Sequence, residues 1–462
     1  MLLENGAEIQ TQNDALIKAS ENGHFEVVKL LLGKGANIHT DDDCALRFAS
    51  EYGHFETVKL LLENGANVHA HRKYRQKYHY DYAIGIASKK GHFKIVKLLL
   101  EYKANLHAKK DYALKQASYY GHFEIVKLLL ENGANIHADD DYALRFASQY
   151  GNIEIIKLLL KNGGNVDFAL GCASQHGNIK NVKYLLENGA DLHANDDYAL
   201  RLASQNGYLE IVRYLLENGG NVHAKDDYAL SYASEYGHFE IVKYLLKNGS
   251  NVNADNDYSL RRAAFQGHLE IVKYLIENGG NVQANDNYAL RYAALRGHFE
   301  IVKYLLENGG DVHADDDYPL RCAATNGHFK IVKILLNNKA NLHADDDCSL
   351  RYASKYGHFE IVKLLLDNGA NLHADDDYAL RYASEYGHSK IVKLLLENGA
   401  DVNAKDDSAL KEACENHHLE VAELLLENGG DINVNINYSL RWAYDYGHIE
   451  IVKLLKEKGA RF

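Results

Sequence analysis

Histidine, aspartate and cysteine are the side chains whose chemistry must be weighed first in this 462-residue chain. Twelve of its 25 histidines share one slot, as at Gly121-His122, and nine share another that usually precedes an alanine, as at His137-Ala138. Only His71, His79, His176 and His417 lie elsewhere. Same-slot histidines are one repeat apart, about 10 Å for packed helices, too far to share a zinc ion that needs ligands at roughly 2.0–2.1 Å. Aspartate runs such as Asp139-Asp140-Asp141 and Asp345-Asp346-Asp347 lack the alternation, central glycine and distal glutamate of a calcium loop. The five cysteines, at 44, 172, 322, 348 and 414, form no CxxC, and their odd number argues against a disulfide framework. There is no P-loop, no GxGxxG after a strand, no HExxH and no nucleophile elbow. The expectation is therefore no metal, no cofactor and no catalytic residues, in a protein that is not an enzyme.

These residues sit in repeats. A glycine recurs every 30 residues from Gly91 to Gly151 and from Gly177 to Gly387, with His417 in the next slot and Gly447 after it. Counting back through Gly53 to Gly23 makes 15 repeats. The step from Gly53 to Gly91 is 38, an eight-residue insertion, and that from Gly151 to Gly177 is 26, a four-residue deletion. Both fall in connections, near 71–80 and 167–168, where length changes are tolerated. The chain reads as one solenoid over 1–462, with a partial repeat at 1–12.

Within a repeat, residues 123–131 read as a helix with apolar Phe123, Ile125, Val126, Leu128, Leu129 and Leu130. Only a narrow stripe of Glu124, Lys127 and Glu131 is polar. Such a helix must be covered by neighbours on most sides. Gly133 is suited to end it in the left-handed region. The first helix of a repeat is shorter, as around 142–149. Asp or Asn stands at its start in every repeat, from Asn13, Asp43 and Asp81 to Asn437, and is read as an N-cap. Pro319, the only proline, falls in the first turn, where its missing N–H is tolerated. His417, in a glycine slot, predicts a locally weak repeat. Leu2 to Ala7 resemble the end of a second helix and should fray. Lys456 in the last helix suits a polar cap.

The stretch Gly121-His122-Phe123-Glu124-Ile125-Val126-Lys127-Leu128-Leu129-Leu130, followed by Asn132-Gly133-Ala134-Asn135-Ile136-His137-Ala138, resembles the second half of an ankyrin repeat. The likeness runs through the whole chain. It implies an all-α solenoid of helix–turn–helix units. The family period is about 33 residues, so the shorter repeat implies stunted β-turn fingers. The family's Thr-Pro-Leu-His reads Tyr142-Ala143-Leu144-Arg145 here, so its inter-repeat hydrogen bonds must be replaced by others. The short period and a composition rich in Tyr, Asn, Ile and Lys resemble the ankyrin proteins of amoeba-infecting giant DNA viruses such as mimivirus. That likeness implies a viral scaffold acting on a host protein in host cytoplasm. The resemblance also implies hydroxylation of Asn253, Asn403 or Asn433. Some viral ankyrin proteins of this kind carry a C-terminal F-box-like segment that recruits ubiquitin ligases; none is read here, so that role is not expected.

A net charge of −13 argues against nonspecific binding to nucleic acid or an anionic membrane. No run is apolar and long enough to span a membrane, and no secretory signal is read at the N-terminus. An intracellular monomer with a protein partner is expected. In the ankyrin family the end of the first helix lines the concave binding face. That places Tyr52, Tyr120, Tyr150, Tyr236, Tyr356, Tyr386 and Tyr446 there, with Phe265, Leu295 and Arg296 breaking the pattern as a partner footprint. Tyrosine supplies large contact area at low entropic cost; the alternative is that these rings only pack on one another. The insertion adds Arg72, Lys73, Arg75 and Lys77, interleaved with tyrosines. It reads either as a finger for an acidic patch or a nucleic-acid backbone, or as a tolerated loop expansion. Tyr184, Tyr214, Tyr244, Tyr274 and Tyr304 replace a leucine in five consecutive second helices, which duplication explains as well as function does.

Overall fold

The computed structural model describes residues 9–70, 72–74, 77–79, 81–431 and 436–459. Among them are thirty helices in fifteen pairs, and every second helix is nine residues long. The chain divides into two compact parts, Met1–Lys225 and Asp226–Phe462, each a stack of such pairs. The fraying expected for Leu2 to Ala7 falls outside the described residues.

The helix Phe123–Glu131 shows how composition becomes packing. Ile125, Val126 and Leu129 are buried, Phe123, Leu128 and Leu130 are half-buried, and Glu124, Lys127 and Glu131 are exposed. The helix ends as its glycine predicts. Gly133 has φ 91°; its N–H donates to Leu130 O at 3.0 Å, and that of Ala134 to Leu129 O at 3.0 Å. These two bonds form a Schellman motif and satisfy carbonyls the helix leaves open.

The start of the first helix differs from expectation. Asp43, Asp81 and Asp141 stand at the N-cap position but make no capping hydrogen bond, because their backbone is left-handed, at φ 53°, 51° and 55°. In most repeats three consecutive residues share that conformation, such as Asp315, Asp316 and Asp317 at φ 54°, 53° and 54°. Asp and Asn are several-fold enriched in this region, so the acidic runs mark a left-handed turn rather than a cap. A side-chain cap forms where the connection is four residues short: Asn165, with extended φ and ψ, accepts from the N–H of Asp167.

The carboxylate freed from capping joins successive connections. Asp81 accepts the N–H of Asn105 at 2.7 Å and the His69 ring N–H at 2.8 Å. The same 24-residue step recurs through both parts, for example from Asn135 to Asp111 and from Asn371 to Asp347, each at 2.8 Å. This replaces the inter-repeat hydrogen bonds that the departure from Thr-Pro-Leu-His removed.

The glycine–histidine slots form a second tie. His298 Nε2 donates to Phe265 O at 3.1 Å, and a Cβ on Gly267 would lie 2.7 Å from the His298 ring. Thus the recurring glycine serves a close approach as well as a left-handed turn. His417 has φ 62° in that slot, and its ring lies 4.5 Å from that of His448.

Candidate functional site

In the first helices, the residue that follows the left-handed turn (the slot start), such as Tyr378, and those four and eight positions later fall on one side, as i, i+4 spacing requires. Many such triples are aromatic, and the rings stack down the helix. Tyr378 and Tyr382 lie 3.9 Å apart between centroids, and Tyr382 and Tyr386 6.4 Å. Tyr142 and Phe146 lie 4.1 Å apart.

Every tyrosine singled out at the end of this row is exposed. In the first part these are Tyr52, Tyr120 and Tyr150; in the second, Tyr236, Tyr356, Tyr386 and Tyr446, from 46 % for Tyr386 to 66 % for Tyr446. Packing and exposure coexist: each ring leans on a neighbour and leaves its other side open. Tyr150 donates its hydroxyl proton to the Tyr119 hydroxyl at 2.9 Å, with ring centroids 4.5 Å apart.

Cations are interleaved with these rings. Lys355 Nζ stands 4.7 Å from the Tyr382 centroid, 5.5 Å from that of Tyr386, 5.8 Å from Tyr356 and 6.0 Å from Tyr352. Four tyrosines of two adjacent repeats thus surround one ammonium, an arrangement favourable by cation–π attraction. Burial holds the Tyr378 hydroxyl well above its usual range, with the Tyr382 hydroxyl adding to the effect.

Phe265, Leu295 and Arg296 do not form one exposed patch. Arg296 is exposed, whereas Phe265 and Leu295 are half-buried. Arg296 Cζ covers the Phe265 ring at 4.3 Å, and Arg262, paired with Glu235, approaches it from 5.1 Å. Leu295 offers its main-chain carbonyl to His328 Nε2 at 3.1 Å. Arg296 and the edge of Phe265 form the accessible portion.

The insertion forms a hairpin of β1 (Arg72–Tyr74) and β2 (Lys77–His79), antiparallel, with Arg72 opposite His79 and Lys73 opposite Tyr78. The tip with Arg75 lies outside the described residues. Tyr82 N–H donates to Ala70 O at 3.3 Å, so the insertion leaves and rejoins the stack at one point. Compare Cys44 N–H to Thr40 O at 3.1 Å in a repeat without the insertion.

Sequence reasoning missed the slot-start and +4 rings, including Tyr378, Tyr382, Tyr288 and Tyr292, together with Lys355 in their midst. Their four-residue spacing was the available signal. The tyrosines replacing leucine in second helices take up neighbouring lysines: Lys183 lies over Tyr214 at 5.2 Å and Lys273 over Tyr304 at 6.0 Å. Of the loop asparagines, Asn253 donates to Asp257 at 2.9 Å and Gly279 O at 3.0 Å, while Asn433 lies outside the described residues. The cysteines are free, and burial pushes the Cys348 thiol up to about 11 and that of Cys414 to about 12. Among the described residues no helix is long and apolar enough to cross a membrane.

The family model of ankyrin repeats, in three copies, matches overlapping windows from residues 1–72 through 230–316 to 380–462. Among solved structures, the human ASB11 ankyrin repeat domain is similar at 32 % identity, over 38 % of this chain and 85 % of that one, with a TM-score of 0.35. Comparison with curated proteins found no match.

Proposed function

We propose that this chain, which belongs to the ankyrin-repeat family, is a protein-binding scaffold whose contact surface is the aromatic face of its first helices. The observation that carries this reading is the row of half-open tyrosines, from Tyr52 to Tyr150 in one part and from Tyr236 to Tyr446 in the other. Rings already held by i, i+4 stacking lose little freedom on binding, which lowers the cost of association. Interleaved lysines and arginines give the surface polar specificity in addition to area.

In this reading the partner surface sits on the concave side and the partner is a host protein of a virus; what supports the second part is the short period and a composition rich in Tyr, Asn, Ile and Lys. The test is site-specific photo-crosslinking in cells. A photoreactive amino acid at Tyr356 or Tyr386 should capture one discrete partner, whereas the same group at Glu360 or Lys363, exposed on a second helix, should not. Equal capture from both sets would remove the aromatic face from consideration.

A second reading is favoured by the hairpin at 72–79. A pair of strands carrying Arg72, Lys73 and Lys77, with Arg75 between them in the sequence, suits an acidic partner or a nucleic-acid backbone. Salt-dependent retention on an anionic matrix that disappears on deleting 71–80 supports it; no retention at low salt ends it.

A further inference from the structure

We propose that a recess beside Gly171, between the first helices Val166–Gln175 and Ala194–Gln205, takes up an arginine side chain of a partner polypeptide. This deepens the scaffold reading and rests on it, since it presumes a protein partner.

The stack supplies the template. Three residues after the slot tyrosine, most repeats carry an arginine that reaches toward the next repeat. Arg321 donates from Nε to Asp316 O at 2.9 Å, from Nη2 to Asp315 O at 3.0 Å, and from Nη1 to the Asp345 carboxylate of the following repeat at 3.1 Å. Where two successive repeats both carry this arginine, the slot tyrosine of the second is flanked by two guanidinium groups. Tyr318 has Arg291 of the preceding repeat at 5.7 Å and its own Arg321 at 5.7 Å. Tyr378 has Arg351 at 5.2 Å and Arg381 at 5.4 Å.

At Tyr198 this arrangement is half complete. Its own Arg201 lies at 5.2 Å. On the other side, the position that supplies the second guanidinium elsewhere is Gly171. The shortened connection also removes the left-handed turn and its histidine. Asp167 accepts the N–H of Asp191 at 2.8 Å, but it has no counterpart of the His193 ring that meets the equivalent Asp197 at 3.1 Å. Cys172 stands where the next ring of an aromatic row belongs and widens the gap. The result is a recess of about 270 Å³ lined by Asp140, Asp167, Asp191, Phe168, Tyr198 and Leu202, with Arg145 at one side. Three carboxylates against one guanidinium favour a cation. The open faces of Phe168 and Tyr198 favour a planar one that stacks while it donates.

A second glycine at the same position shows what such a gap attracts. Beside Gly85 the equivalent ring is Tyr112, and Lys109 of that repeat lies over it at 4.8 Å. The residue at the Lys109 position is Asn195 in the Gly171 site, so that position supplies no cation to the Gly171 side of Tyr198.

The probe is the acetyl amide of arginine, compared with those of lysine and the neutral isostere citrulline. The readout is the native alkylation rate of Cys172 by mass spectrometry, with half-buried Cys322 as internal reference. The arginine amide should slow Cys172 modification with a half-effect on the order of millimolar, as befits a single side chain. Citrulline amide should not, and Cys322 should be indifferent. Gly171→Arg restores the guanidinium seen in other repeats; the Tyr198 ring, 3.2 Å from the added Cβ, has only to give slightly. That variant should unfold at a higher temperature than the parent, as glycine leaves a helix, and lose the arginine effect. Asp167→Asn should keep the fold and weaken the effect several-fold. Equal protection by citrulline amide, undiminished protection in folded Gly171→Arg, or none at tens of millimolar overturns the proposal. Because no partner is present, such a failure leaves the crosslinking result on the tyrosine face standing by itself.

Discussion

Asp347, only 3 % exposed, accepts the main-chain N–H of Asn371 at 2.8 Å, and this one contact ties the start of a repeat to the connection that leaves it. The His343 ring reaches the same carboxylate at 3.1 Å from the preceding connection. Removing the acceptor takes away a part-buried hydrogen bond to a charged group, which contributes about 1.5–3 kcal/mol. Asp347→Ala should therefore lower the urea midpoint distinctly. Asp347→Asn should lower it less, since Asn287 already accepts the N–H of Asp311 at 2.8 Å in the same role. Equal loss in the two variants would show that the bond is not what matters there.

Two charged contacts should appear in the pH dependence, with opposite signs. Lys110 and Lys115 hydrogen-bond to Asp139 and hold its carboxyl down at about 2. A lowered carboxyl contributes stability above its unfolded value near 4 and loses it as pH falls toward 2. His193 is raised, chiefly by its hydrogen bond to Asp197. Its contribution is complete below about 6.5 and fades as pH rises through the elevated value. The midpoint difference between parent and Asp139→Asn should shrink from pH 5 to pH 2, and that for His193→Gln from pH 6 to pH 8.5. Flat differences would contradict both assignments.

His417, at φ 62° where other repeats have glycine, carries a left-handed cost of roughly 1–2 kcal/mol. Part of that is offset by contact with the His448 ring, and part of any gain from glycine is lost to unfolded-state entropy. His417→Gly should still raise the thermal midpoint. The comparison is Lys339→Gly, where Lys339 has φ 70° at the end of a second helix. That change should stabilise as well, and a lower midpoint in both variants would refute the strain argument.

How much of this was legible in the chain follows from which contacts are local. The helices and the period are written in positions three, four and thirty apart. The period groups the tyrosines from Tyr52 to Tyr446 into one slot, but it was the likeness to ankyrin repeats that put that slot on an open face. What lay beyond reach are bonds whose partners sit 24 residues away, such as Asn105 to Asp81 at 2.7 Å, because an aspartate before a helix reads first as a cap. The left-handed turn that turns the carboxylate away from that role is a property of three successive residues, and no single one announces it. The recess beside Gly171 was likewise hidden. The four-residue deletion was visible, but the gap depends on a tyrosine 27 residues later and on an arginine that is missing.

Glycine in this fold answers two different demands, and one pair of substitutions separates them. Gly237 has φ 82° and Gly249 φ 95°, so alanine at either pays the same left-handed penalty. They differ in what surrounds them. A Cβ on Gly237 would lie 2.8 Å from His268 Cε1, whereas one on Gly249 meets nothing within 4 Å. The His268 ring is not free to withdraw without loss, because its Nε2 donates to Glu235 O at 2.9 Å. Gly237→Ala should thus cost more than Gly249→Ala by about 1 kcal/mol, the net worth of a hydrogen bond that must lengthen or break. The excess should vanish when His268 is also replaced by alanine, since the added methyl then faces open space. Urea unfolding of the two single variants and the double variant gives the coupling directly. If Gly249→Ala proved as damaging as Gly237→Ala, the conserved spacing of glycine and histidine along the chain would reflect turn geometry alone, and the close approach between repeats would be incidental.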